Sequence, residues 1–467
     1  MPDSPDLTLA PAPPEAGPRP EAQPADLTRG PLVRTVLRMG VPSAIGFSAQ
    51  TAYTLVNLFW VGRLGTAAIA GVTLFSALLY LLWSFNEMVG AGSVPIISRR
   101  LGERNIPEAA AAVYQTLFFK FAVALVVGLG GCLLAGPLVQ RMNGRGAAAA
   151  QAVAYGQLAS LTLPLLYCMV TVWTVLRSAG RASTAMKLML GSVALNMALD
   201  PLFMLVLGMG VRGAPIANAI TSAIFLTAGL AYLQSGRAGF RLPVPPPRPW
   251  IRWDLLRAIV RIGFPATVES MSRAFSLTWC VSRVALYGAA AVAAMGIAQR
   301  LLDLGAIVGV GFSLGTIPIV GQCLGARDTR RALHATCVAA AVSVGVVAPV
   351  VLVECLAAGP VVRLFDRGGQ ALQLGRVAVR LLGPVQILLA TQLPLAAAFW
   401  GSGRTVPTMV IGVTFGALGP VALTLLAQAF GISTAPTVWA AVLVAYTMEL
   451  AAFVVWFRRG TWMTAQV

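Results

Sequence analysis

The stretch Leu195-Asn196-Met197-Ala198-Leu199-Asp200-Pro201 places an amide and a carboxyl one helical turn apart on one face. Pro201 has no backbone N–H, so the carbonyl of Met197 loses its usual partner. An amide, a carboxyl and a bare carbonyl together suit a proton or a sodium ion. The same residues equally describe an aspartate that only satisfies a kink. Two further sets carry opposite charges at helical spacing: Glu269 with Arg273, and Arg300 with Asp303. Such pairs either neutralise each other in a low-dielectric bundle or line a polar path. Glu87 and Glu449 have no charged partner at that spacing and are expected to face a wet cavity, whereas Glu354 is expected to reach the outer interface. Tyr53, Trp60, Tyr80, Trp83, Phe275 and Trp279 supply rings that either receive flat cations or pack and anchor at interfaces.

Much other chemistry is excluded. One histidine, His334, and six scattered cysteines without a Cys-x-x-Cys pair give no metal-ligand spacing. The chain has no Gly-x-Ser-x-Gly, no His-Glu-x-x-His and no Gly-rich phosphate loop, so neither an enzyme nor an ATP-driven pump is expected, and no cofactor. A formal charge of +18 invites a nucleic-acid reading. The arginines, however, gather at alternate loops, around Arg34 and Arg38, Arg99 to Arg104, Arg177 and Arg181, Arg237 to Arg261, Arg327 to Arg331, and Arg458. That alternation is the positive-inside pattern of a membrane protein, with both termini cytoplasmic.

The elements that must position these residues follow from composition. With 57% hydrophobic residues, 11% charged residues and a mean hydropathy of +0.79, the chain is far more apolar than a soluble domain. Apolar runs from residues 36–60 to 436–457 each reach the ~20 residues that span hydrocarbon as helix. The fold expected is an all-α integral membrane protein of about twelve transmembrane helices in two six-helix bundles. Long continuous runs exclude a β-barrel. Residues 1–30 read as a disordered cytoplasmic tail, 31–235 as an N-lobe and 254–459 as a C-lobe. Between the lobes, 236–253 reads as a stiff cytoplasmic linker touching anionic headgroups, and 460–467 as the cytoplasmic C-terminus.

The bundles repeat each other. The shift that carries Met39-Gly40-Val41-Pro42 onto Ile262-Gly263-Phe264-Pro265 also carries Gly65 onto Gly288, Leu101-Gly102 onto Leu324-Gly325, and Gly180-Arg181 onto Gly403-Arg404. An even number of spans per half makes the halves parallel, related by a pseudo-two-fold along the membrane normal. The charges are not repeated: Glu269 falls on Gly46, Arg273 on Gln50, Arg300 on Ala77, Asp303 on Tyr80 and Asp200 on Leu423.

Val56-Asn57-Leu58-Phe59-Trp60-Val61-Gly62-Arg63-Leu64-Gly65 after Pro42 resembles the first-helix signature of the multidrug and toxic compound extrusion (MATE) transporters. Leu176-Arg177-Ser178-Ala179-Gly180, Leu195-Asn196 with Asp200-Pro201-Leu202, and Gly210-Val211-Arg212-Gly213-Ala214-Pro215 are similar to that family in order and spacing, from about Leu32 to Arg459. The resemblance implies two six-helix lobes around a V-shaped cavity. It also implies export of organic cations or other amphipathic compounds in exchange for H+ or Na+. The family's N-lobe ion site falls on Tyr155, Asn196, Asp200 and Asn218. Where the family has Asp in its first helix, this chain has Asn57, which keeps the hydrogen-bonding shape and loses a titratable group. Glu269 approximates a seventh-helix Glu of some members, about one turn nearer the proline. Glu87, Glu269, Arg273, Arg300, Asp303 and Tyr53 are the cavity candidates. The expected partners are a small-molecule substrate and membrane lipid, for a monomer in the plasma (inner) membrane. The readings kept beside this one are a lipid-linked saccharide flippase of the same superfamily and a weakly coupled ligand-binding or sensor protein.

Overall fold

In hydrocarbon only helix bonding satisfies backbone groups within a single segment, and this chain folds accordingly. The computed structural model describes residues 26–142, 146–246, 249, 251–366 and 371–464, so most of the expected tail (1–25), three linker positions and residues 465–467 lie outside the described residues. The first half comprises α1 (Leu32–Gly62), α2 (Thr66–Gly102), α3 (Ile106–Arg141), α4 (Gly146–Leu161), α5 (Leu163–Ser178), α6 (Ala182–Pro201) and α7 (Gly213–Gln234). The second comprises α8 (Trp253–Ala285), α9 (Ala289–Gly325), α10 (Thr329–Leu356), α11 (Ala358–Phe365), α12 (Leu372–Ser402), α13 (Val406–Ile411), α14 (Leu418–Ala429) and α15 (Ala435–Arg458).

Among the described residues nine helices are long and apolar enough to cross a membrane, or ten with α4 and α5 taken as one span bent by 51°. The bend falls just ahead of Pro164, which supplies no donor to the preceding turn. The other two long helices are α1 and α8, of 31 and 33 residues, which open the two halves. They fall short in apolarity because α1 carries Arg34, Arg38, Gln50 and Asn57, and α8 carries Arg257, Arg261, Glu269, Arg273 and Arg283.

The repeat is visible in the backbone. Positive φ angles occur in matched pairs, at Gly65 (105°) and Gly288 (95°), Arg104 (59°) and Arg327 (62°), and Gly180 (74°) and Gly403 (79°). Next to the two arginines, Asn105 and Asp328 cap the following helices by accepting from the backbone N–H of Glu108 (3.2 Å) and Arg331 (2.9 Å). One feature is displaced: α6 runs into a π-helical turn at Leu202–Val206, whereas α13 runs into one at Gly412–Ala417, earlier in the equivalent span.

The halves meet where α1 and α8 begin and α2 and α9 end. Gly102 packs on the backbone of Gln322, and its counterpart Gly325 packs on the backbone of Arg99, the counterpart of Gln322. Gly315 lies against the backbone of Met39 and Gly40, and Gly92 against Ile259. Farther along, glycines face their own half, with Gly46 on Met189, Gly71 on Ala148 and Gly309 on Leu393. The halves therefore part toward the other end, and a cleft opens between α1–α2 and α8–α9. A side chain at Gly102 has to displace backbone, so Gly102→Leu is expected to cost about 1–3 kcal/mol. Thermal unfolding of the purified protein reads this, with Gly136→Leu, which points into open space, as the unchanged control.

The linker departs from expectation. Its first part is not free: Ala238, Phe240 and Leu242 are 0%, 3% and 1% exposed and join the first-half core with Leu233, while Pro243–Pro246 stay exposed. Turns at Gly236 and Gly239, both at positive φ, fold these residues back onto the end of α7. Arg252 then fastens it to α3, with Nη1 at 2.8 and 2.9 Å from the Glu108 carboxylate.

Candidate functional site

In the first half, α6 brings Asp200 against α1. Asn57 Nδ2 donates to Asp200 Oδ2 at 2.9 Å. Tyr53, one turn earlier on α1, and Tyr155 on α4 flank the same carboxyl. Asp200 has no exposed surface, and its Oδ1 has no hydrogen-bond partner among the described residues. An orphaned buried acceptor costs about 1–3 kcal/mol, which a proton or a cation on that oxygen removes. The π-helical turn starts two residues later, after Pro201, a distortion that often accompanies functional sites.

Asn196 and Asn218 do other work. Asn196 Oδ1 accepts from Thr221 Oγ1 at 3.2 Å, bracing α6 against α7, and Asn218 Oδ1 accepts from Ser222 on its own helix at 3.1 Å. Of the expected set, Asn57, Tyr53, Tyr155 and Asp200 converge, while the two asparagines support the helices behind them.

The second half encloses a larger cluster. Arg273 Nη2 lies 3.2 Å from Glu269 Oε1 and also hydrogen-bonds Glu449 Oε1, while Nη1 reaches Glu449 Oε2 at 3.2 Å. Gln392 on α12 donates to Glu449 Oε1 at 2.7 Å, and the Tyr446 ring lies 5.9 Å from the guanidinium. The π-helical turn makes the space: a Cβ on Gly412 would sit 2.7 Å from Glu269 Cγ, and one on Gly416 would sit 2.8 Å from Arg273 Nη1 and from Glu449 Oε2. Two carboxylates face one guanidinium, and Glu269 Oε2 and Gln392 Oε1 are buried without partners among the described residues. This cluster too has acceptors to spare. The Glu269–Arg273 pair is therefore not self-contained. Glu449, 176 residues from Arg273, is the member that helical spacing within one segment does not reveal.

A third group is built on a buried base. Lys120, 1% exposed within the apolar run Phe118-Phe119-Lys120-Phe121, donates to Asn86 Oδ1 at 2.8 Å. Asn86 in turn donates to Glu87 Oε1 at 3.4 Å. Glu87 is exposed on α2, next to Met88, which packs on Gly263 across the seam.

Other residues fall as follows. Arg300 and Asp303 stand 3.8 Å apart with side chains 73% and 50% exposed, which fits the polar-path alternative and not a buried neutral pair. Charged side chains this long reach water in preference to a dry contact. Glu354 does not reach an interface but is 7% exposed, held by Gln386 Nε2 at 2.6 Å between α10 and α12. Trp83 packs edge-on to Tyr167 inside the first half at 6.0 Å, whereas Tyr80 and Phe275 stay 57% and 61% exposed.

Two repeated bundles that are sealed at one end and parted at the other, each enclosing ionisable groups, define a multi-pass membrane transporter. The chain belongs to the MATE family, a family of transporters and not of enzymes: the MatE profile matches residues 42–202 and again 265–424. The two matches begin on the prolines that open the repeat. The chain is 23% identical over 308 residues to the probable multidrug resistance protein YpnP of Bacillus subtilis (strain 168), covering 66% of this chain and 68% of that protein. It is 25% identical over 445 residues to the multidrug export protein MepA of Staphylococcus haemolyticus (strain JCSC1435), covering 92% and 94%. A third relative, the FAD transporter of Shewanella oneidensis, is 25% identical over 316 residues, covering 66% and 69%. Among solved structures, an outward-facing multidrug resistance MATE transporter superposes with a TM-score of 0.87 over 95% of this chain and 98% of its own, at 22% identity. That likeness fixes the fold.

Proposed function

We propose that this protein exports amphipathic organic compounds, cations among them, by alternating access, in exchange for H+ or Na+ entering through Asp200. The observation that carries the proposal is the buried Asp200 carboxyl, with one oxygen bonded to Asn57 and the other unsatisfied. An ion bound there changes the charge at the meeting point of α1 and α6, and so biases the cleft-lining α1 between conformations. The relatives named for multidrug resistance and export support the substrate class. The positive-inside pattern supports a cytoplasmic position for the sealed end and both termini, and with it an outward-open state.

The Glu269–Arg273–Glu449 cluster favours a second coupling centre, because its acids outnumber its base and two of its acceptors are free. A lipid-linked saccharide flippase needs a cationic groove, whereas Arg273 is matched by two carboxylates and Arg300 by Asp303. The test is export of ethidium from proteoliposomes under imposed proton or sodium gradients. Accumulation against the dye gradient, driven by one ion, is the expected result. Binding without uphill movement would instead make the protein a sensor.

A further inference from the structure

Residues 26–30, assigned by sequence to the unstructured tail, are fastened across the sealed end. Leu27 is 4% exposed, packed in one cluster with Ile319, Val320, Cys323 and Leu324 of α9. Its backbone N–H donates to Gln322 Oε1 at 3.3 Å, and Gln322 Nε2 donates to the Ser178 carbonyl at the end of α5 at 2.8 Å. Arg331, in the first turn of α10, donates to the carbonyls of Leu27 (3.2 Å), Arg29 (2.9 Å) and Gly30 (3.1 Å). Asp26 stands 3.8 Å from Arg104 in the α2–α3 turn. The segment thus leads into α1 of the first half while α9 and α10 of the second half hold it.

The repeat supplies a matching arrangement. Arg252, the counterpart of Arg29, leads into α8 of the second half and is held by Glu108, the counterpart of Arg331, in the first turn of α3. The Arg252 backbone N–H also donates to Gln115 Oε1 of α3 at 3.2 Å. One fastening uses a guanidinium on carbonyls and the other an ion pair, yet both tie the entry of one half to the third span of the other. Separating α2–α3 from α9–α10 strains both.

We propose that Asp26–Pro31 and Ile251–Arg252 form a pair of latches that hold the sealed end shut, so that their release governs how often that end opens. This holds whichever ion or substrate the cleft takes. Cys323, buried beneath Leu27, is a native reporter. The full chain, with its other five cysteines replaced by serine, is reconstituted and labelled with a small maleimide. A second reporter, Ser98→Cys in a chain otherwise free of cysteine, lies at the seam against Gly321. Arg331→Gln and Glu108→Gln, which lose hydrogen bonds of a charged group, and Leu27→Asp, which sets an unpaired charge in a buried place, are each expected to raise labelling at both reporters roughly tenfold or more. Arg331→Gln and Glu108→Gln are changes at helix starts, and unchanged melting confirms that they fold. Faster labelling of Cys323 alone would show that the segment is only a local cover. Unchanged labelling at both would likewise overturn the proposal.

Discussion

Asp200→Asn is expected to bring gradient-driven export from proteoliposomes down to the rate of protein-free vesicles, while dye binding persists. The substituted amide still accepts from Asn57 and keeps the shape of the pocket, but it has no charge to gain or lose. Coupling by differential affinity needs the two conformations to treat the ion differently, and a neutral side chain gives them nothing to distinguish. Asn57→Asp is the companion. It sets a second carboxyl within hydrogen-bonding distance of the first, where two like charges share one proton and titrate as a pair. Export by that variant should persist with an altered pH dependence. Full export by Asp200→Asn would move the coupling centre to the other half.

In the second half the largest effect is on stability. Arg273→Met leaves Glu269 and Glu449 facing each other without a base, and breaking a buried pair of this kind typically costs about 3–5 kcal/mol. Glu449→Gln alone keeps the Glu269–Arg273 pair and the Gln392 bond position, so its cost is expected to be smaller. Adding Glu449→Gln to Arg273→Met should recover part of the loss, because one of the two orphaned charges is gone. Thermal unfolding of the three variants in detergent gives the coupling directly. Strictly additive losses would mean that Arg273 and Glu449 act independently.

The scaffold was readable because it rests on backbone requirements that leave marks in the sequence. A turn with positive φ at Gly65 or Gly180 needs glycine, and the same need recurs at Gly288 and Gly403, so the repeat can be traced by eye. Asp200 was readable for a related reason, since its proline and its i−4 amide lie beside it. Its bond to Asn57 was reachable only through the family resemblance, because no local pattern joins α1 to α6. The second-half cluster was half legible: Glu269 and Arg273 share a helix face, whereas Glu449 reaches them through tertiary packing. Lys120 went unread because a search for ion carriers looks at acids, although a charged residue among phenylalanines was its own signal. α1 and α8, whose polar residues build the site, are the least apolar of the long helices, yet the runs 36–60 and 255–282 still marked them as spans.

The contacts of Gly102 with Gln322 and of Gly325 with Arg99 are the same contact made twice. A surface that meets its own counterpart in this way is self-complementary, as in a two-fold dimer. A six-span chain of half this length would therefore carry all the information needed to build the joint with a second copy of itself, in the same orientation across the bilayer. Joining two copies end to end releases each from having to match the other away from the joint. An aspartate beside Pro201 in one half and a guanidinium between two glutamates in the other leave the joint untouched, whereas a side chain at either glycine disturbs it.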